Sequence, residues 1–257
     1  MAYREDEDLK FLGEMDSKDL HDLVECLVKD KDGSTRMTEE LTARDSYKTH
    51  YPKHAMYWRE IAAEIQCFGA NSFATVVRGG KGVPYREVLT DVCSKIGVKY
   101  DKKSKTQDIE NALLIKILES TLEKMPETDR EEFAKAVGIS SLKTFTPAGI
   151  TAAFLYAFKA GGFQSYKLTL IIANAVSRAI LGEGLRFATN ATLARSVSLL
   201  AGPVGWALTG VWTAVDIAGP AYRVTMPAVI QVALLRRKHA AELEGYKKQI
   251  DEELGGL

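Results

Sequence analysis

"LLAGPVGWALTGVWTAVDIAGPAYRVTMPAVIQVALLRRK", Leu199 to Lys238, is the most apolar stretch of a chain that elsewhere carries a charge every few residues. Whether it enters a bilayer or fills a soluble core decides the fold. Gly202-Pro203 and Gly219-Pro220 bracket a helix from about Pro203 to Ala218, roughly 24 Å long at 1.5 Å per residue. Asp216 lies inside it. The next apolar run, Val224 to Leu235, is roughly 18 Å long by the same rise, and is closed by Arg223 on one side and Arg236, Arg237 and Lys238 on the other. A bilayer core needs about 30 Å, so neither run spans it comfortably. The spacing predicts a helical hairpin hidden in the core of a soluble bundle, with Asp216 and Arg223 able to pair near its turn. A sheathed hairpin that leaves the bundle and inserts when triggered obeys the same arithmetic.

The flanking sequence is helical throughout. "MDSKDLHDLVECLVKDKDG" sets Leu20, Leu23, Val24, Leu27 and Val28 on one stripe, with Asp16 or Ser17 as N-cap and Gly33 just past the end. "YPKHAMYWREIAAEIQCFG" places Pro52 at a first helical position and Trp58, Ile61, Ile65 and Phe68 on one side, stopping at Gly69. "KTQDIENALLIKILESTLEKM" repeats the pattern with Ile109, Leu113, Ile117 and Thr121. No β-branched alternating run is closed by a tight Asn-Gly or Asp-Gly turn. The expected fold class is therefore all-α: a helical bundle with a C-terminal Gly/Ala-rich hydrophobic helical hairpin. In "PAGITAAFLYAFKAGG", Gly149, Ala153, Ala157 and Gly161 form a small-residue ridge at four-residue steps, and Gly210, Ala214 and Ala218 do so later. Such ridges let helix axes approach closely in lipid or in water.

Charge divides the chain. Acidic and basic residues balance at 34 each. Residues 1–140 nevertheless hold 27 acids and 22 bases, while between Ser141 and Lys238 the only acids are Glu183 and Asp216 against ten bases. A boundary falls in "GISSLKTFTPAG", giving an acidic region 1–140, with a short helical domain at about 1–48, and a basic, apolar region 141–257 that carries the hairpin. The basic half suits anionic lipid or an acidic partner surface, and equally suits the acids of its own N-terminal half. Cys26, Cys67 and Cys93 are too widely spaced for a zinc motif and sit among apolar neighbours, as buried thiols of a reducing compartment do. The acidic start "MAYREDEDLK" is not a signal peptide, so the expected location is cytoplasmic, with peripheral or conditional membrane association left open.

"WREIAAEIQCFGANSFATVVRGGKGVPYREVLTDVCSKIGV" (Trp58 to Val98) and "AGPVGWALTGVWTAVDIAGPAYRVTMPAVIQVALLRRK" (Ala201 to Lys238) resemble the signature stretches of the bacterial YaaW-like family. "YREDEDLKFLGEMDSKDLHDLVECLVKDKDGSTRMTEEL" resembles the short helical domain that precedes them in many members. The family is sometimes labelled similar to ubiquinol-cytochrome c chaperones. The resemblance implies an all-helical fold and supplies no catalytic residues.

"RGGKGVPYREVL" is the most site-like element. Arg78, Gly79, Gly80, Lys81 and Gly82 run into a helix that begins near Pro84, so exposed N–H groups, a helix N-terminus and two cations offer an anion site, without the spacing of a phosphate-binding Walker loop. The same loop also reads as a connector. Trp206, Trp212 and Tyr222 form either an interfacial aromatic belt or core knobs; with Asp216, Arg223, Arg236, Arg237 and Lys238 they are the candidates for contact with a membrane or client. His50 and His54 are four apart with Pro52 between them, which breaks a shared helical face, so no metal site is assigned. Glu60 and Glu64 share a helix face and read as a solvated edge. Lys99, Lys102, Lys103 and Lys105 alternate with acids and read as a solvated loop, not a specific nucleic-acid site. No catalytic motif or cofactor fingerprint is present. The expected function is a non-enzymatic interaction protein, its partner a protein, a hydrophobic client or an anionic membrane. The alternatives are a ligand-binding protein or enzyme using the loop at 78–82, and a structural adaptor.

Overall fold

A computed structural model describes residues 2–30, 32–36, 39–68, 82–139, 142–181, 185 and 222–255. The first arm of the expected hairpin, with Trp206, Trp212 and Asp216, lies outside the described residues, as do Arg78, Gly79, Gly80 and Lys81.

Among the described residues the architecture is all-α. In chain order the helices are α1 (Ser17–Val28), α2 (Asp45–His50), α3 (Trp58–Phe68), α4 (Tyr85–Lys95), α5 (Thr106–Leu122), α6 (Glu127–Ala136), α7 (Pro147–Ala160), α8 (Gly162–Leu181) and α9 (Tyr222–Gly255). Short 3-10 turns at Lys10–Glu14, Leu41–Ala43 and His54–Tyr57 complete the set. The second half of the apolar stretch is the beginning of α9. Every residue from Val224 to Leu235 is buried, and so is every residue of α8 from Leu168 to Ser177. A helix that is apolar on all sides belongs inside a bundle. Accordingly α8 and α9 pair extensively at the centre, with α1, α3, α4 and α5 packed on α9, and α7 on α5 and α8. One hydrophobic core runs from Leu9 to Leu235, so the acidic first region and the basic second region fill the same interior. From Glu242 to Gln249 α9 is exposed. Among the described residues no helix is long and apolar enough to cross a membrane.

Local chemistry sets the corners. Thr146 caps α7 by accepting the Gly149 N–H through its hydroxyl at 3.1 Å, and Pro147 follows at the first helical position. Gly161 ends α7 at φ 74° and ψ −150°, a conformation that L side chains avoid, which lets α8 start at the next residue.

Three local expectations are corrected. Pro52 does not open a helix: it lies between α2 and the turn at His54–Tyr57, and α3 starts only at Trp58. Gly33 is not a helix cap, because α1 ends at Val28 and Gly33 lies inside a small loop closed by the Lys29–Thr35 bridge. On α7 the fully buried stripe is Ile150, Phe154 and Phe158, while Gly149, Ala153, Ala157 and Gly161 are only half-buried beside it. Phe154 stacks on Phe133 of α6 with ring centroids 5.8 Å apart, so large side chains rather than a smooth ridge make that contact.

Candidate functional site

The basic end of the apolar run turns inward. After Leu235, α9 presents Arg236, Arg237, Lys238 and His239 to helices and turns from the first half of the chain, where each meets an acid. Glu110 of α5 is fully buried. It accepts Arg236 Nε at 3.2 Å on both carboxylate oxygens, and Arg237 Nη1 lies 3.9 Å from Oε2. The Tyr85 hydroxyl of α4 donates to Glu110 Oε1 at 2.9 Å and lies 3.2 Å from the Val229 carbonyl. Arg236 Nη2 donates to the Asp8 carbonyl at 2.8 Å, and the Asp8 carboxylate accepts the Thr106 hydroxyl at 2.7 Å. Arg237 donates to the Ala233 carbonyl at 2.9 Å and to Asn111. Aromatic faces complete the lining, with Phe11 at 4.7 Å from the Arg236 guanidinium and Phe158 at 5.2 Å from that of Arg237. Next along the helix, Lys238 reaches Asp19 at 2.5 Å and Glu242 at 3.1 Å, and His239 reaches Glu14 at 3.3 Å.

Burial and pairing compete at each group. Burial works against the charge on Arg236, yet Glu110, Tyr85 and Asp8 outweigh it and raise its pKa. At Arg237 burial prevails and lowers the pKa despite Glu110. Burial, reinforced by Glu110, holds the Tyr85 hydroxyl well above its ordinary range, so it remains a donor. Lys238 and Asp19 are both raised: for Lys238 its two carboxylate partners outweigh burial, while for Asp19 burial outweighs Lys238. The result is a charge-paired clasp between α9, α4, α5 and the N-terminal segment. Both Glu110 oxygens are engaged by donors, an arrangement that holds helices together.

This places three of the expected membrane or client contacts. In this folded state Arg236, Arg237 and Lys238 serve the acids of the same molecule. Tyr222 is half-buried under Lys95 Nζ, 5.5 Å from its ring, and Arg223 is exposed at the start of α9.

The expected anion site has an internal tenant at its helix end. The Asp6 carboxylate accepts the Tyr85 N–H at the N-terminus of α4 at 2.6 Å and the Gln66 side chain at 3.4 Å. An acid there is favoured by the helix dipole and satisfies an orphan donor. Gly82 is a packing position: a Cβ on it would lie 2.4 Å from the Gln66 carbonyl carbon, while the neighbouring Val83 N–H donates to the Gln66 carbonyl at 3.0 Å.

Two more polar groups can be placed, of which Glu64 departs from the sequence expectation. Glu64 is not on a solvated edge; it is 2% exposed, accepts the Glu40 N–H at 3.0 Å, and is pushed up to about 7 by burial. His54 is separated from His50 by the turn and instead meets His21 at 3.0 Å and the Tyr57 hydroxyl at 2.5 Å. Burial, then His21, pushes its imidazole down to about 4. Among the described residues no three metal-binding side chains converge. Cys26, Cys67 and Cys93 are buried free thiols, pushed up by burial to about 12, 11 and 12.

With the fold in place, comparison with known proteins becomes informative. Residues 3–37 match a domain of unknown function, DUF3944, and residues 53–230 match the family described as ubiquinol-cytochrome C chaperone. A UPF0174 protein of Helicobacter pylori strain J99 is 50% identical over 238 residues, 93% of this chain and 94% of the relative. The chain belongs to the UPF0174 family. UPF0174 protein YaaW of Escherichia coli K12 is 35% identical over 244 residues, 93% of this chain and 97% of the relative. A second H. pylori J99 member is 40% identical over 210 residues, 80% of this chain and 100% of the relative. No solved structure matches. The clasp joins the two matched regions: Asp6, Asp8, Glu14 and Asp19 come from the first, while Tyr85 and Glu110 come from the second, with Arg236 to His239 just after it.

Proposed function

We propose that this UPF0174 member is a non-enzymatic, chaperone-like interaction protein that holds a hydrophobic client segment. The match of residues 53–230 to the chaperone family supports this reading. The observation that carries it is the manner of closure: an apolar central helix is shut at its basic end by ion pairs and hydrogen bonds from a separately matched N-terminal region. The sequence beyond the described residues adds Trp206 and Trp212 as candidate client contacts.

Anionic membranes are the less favoured partner in the closed state, because the cations expected to face lipid are paired inside. The test uses the full chain without detergent. An aggregation-prone hydrophobic helical peptide should stay in the supernatant in a defined complex when the protein is present. Flotation with neutral and anionic vesicles, run in parallel, should leave the protein at the bottom. Peptide that sediments as fast with the protein as without it would refute the client reading, and flotation with anionic vesicles alone would replace it with the membrane one.

A further inference from the structure

We propose that the client of the preceding reading, on which this inference rests, is an acidic amphipathic helix that docks on α9 where α1 now lies. The resident occupant states the chemistry of the site. Helix α1 runs antiparallel to α9, with Asp19 Oδ2 at 2.5 Å from Lys238 Nζ at one end and Cys26 Sγ at 4.0 Å from the Val224 carbonyl at the other. Along this helix Leu20, Leu23, Val24 and Leu27, all fully buried, repeat at the three- and four-residue steps of a helix laid in a groove.

The charges are one-sided. The occupant and the segment leading into it contribute the carboxylates of Asp19 and Glu14, which face Lys238 and His239 of the receiving helix, and the Asp8 carbonyl, which accepts from Arg236. Further anchors come from the receiving side as donors: the Ala55 N–H gives to the Ser17 hydroxyl at 3.0 Å, and Thr106 gives to Asp8. Complementarity of this kind selects acidic partners and rejects basic ones. The occupant lies in a stretch matched separately, residues 3–37, whereas the second match, residues 53–230, takes in only the first turns of the receiving helix. A partner helix therefore needs an apolar stripe at i, i+3, i+4 and i+7, preceded by one carboxylate for Lys238. When it docks, α1 is displaced, so the N-terminal region acts as a self-competitor that keeps the groove closed until such a helix arrives.

The experiment combines binding and hydrogen exchange on the full chain. The probe is a fluorescein-labelled helical peptide with leucines at those four positions and an aspartate before the first; its twin carries lysine instead of aspartate. The acidic probe should bind and speed exchange of the α1 amides, leaving α5 and α8 protected, while the twin does neither. In Asp19→Asn the resident loses its anchor and the acidic probe should bind about tenfold tighter. In Lys238→Met the preference between the two probes should vanish, and circular dichroism checks that both variants keep the helical content of the parent. Binding of the acidic probe with α1 exchange unchanged would overturn the docking site and leave the client reading standing. If neither probe binds the parent or Asp19→Asn, both are overturned.

Discussion

Replacing Glu110 by alanine tests the clasp at its most buried point. The carboxylate is fully buried and engages Arg236 at 3.2 Å and Tyr85 at 2.9 Å, with Arg237 at 3.9 Å. Its removal leaves two guanidinium groups, with side chains 18% and 3% exposed, of which Arg236 keeps Asp8 as a nearby acid. Breaking a buried pair in this way costs about 3–5 kcal/mol, mostly as uncompensated charge. For a chain of this size each kcal/mol moves Tm by about 2–4 °C, so Glu110→Ala should melt roughly 6–20 °C below the parent. The control is Glu131→Ala, which removes a pair to Lys135 whose side chains are 45% and 60% exposed and should cost at most about 1 kcal/mol. Combining Glu110→Leu with Arg236→Met should recover part of the loss, because apolar groups of similar volume replace a buried pair well. Thermal and urea denaturation followed by circular dichroism measure all three. If Glu110→Ala melts no lower than Glu131→Ala, the clasp does not hold α9.

Further expectations concern the groups around it. Burial raises Glu64 to about 7 from an ordinary 4.5, so the native state binds the extra proton and stability falls as pH rises from about 4.5 through 7. Glu64→Gln should match the parent near pH 4.5 and exceed it at pH 8 by up to about 3 kcal/mol; equal stability at pH 8 would mean that burial does not raise this carboxyl. Gly82→Ala forces a Cβ to within 2.4 Å of the Gln66 backbone and should cost about 1–3 kcal/mol, against no change for Gly245→Ser on the exposed part of α9, where nothing lies within 4 Å. Asp6→Ala removes the acceptor at the start of α4 and should cost about 1–2 kcal/mol, read as faster exchange at Tyr85 and Arg86.

The sequence displayed the helices because their apolar periods are local: the stripe of α1 and the all-round apolarity of Val224–Leu235 each imply a buried helix whatever packs on it. Glu110 was not singled out in the sequence, although it falls beside Ile109, Leu113 and Leu114 on the apolar side of α5, where an acid signals a buried pair. Its partners were not legible, because Arg236 lies 126 residues away and no local pattern links them. Asp6 and Asp8 were hidden differently. They sit in an acidic run that resembles a solvated tail, and only the tertiary fold brings them to the end of α4 and to Thr106. Likewise the glycines at 79, 80 and 82 suggested an open anion cradle; at Gly82 the small residue instead permits close approach to Gln66, and an aspartate from the N-terminal segment fills the neighbouring helix end.

Val224–Leu235 forms the interior of a helical bundle and is clasped at its basic end by the N-terminal region. Amide hydrogen exchange across that run, in detergent-free buffer with and without anionic vesicles, tests it most directly. These amides should exchange only as fast as the whole protein unfolds, with vesicles making no difference. Rapid exchange in buffer that slows when vesicles are added would contradict it, since the run would then find its cover in lipid.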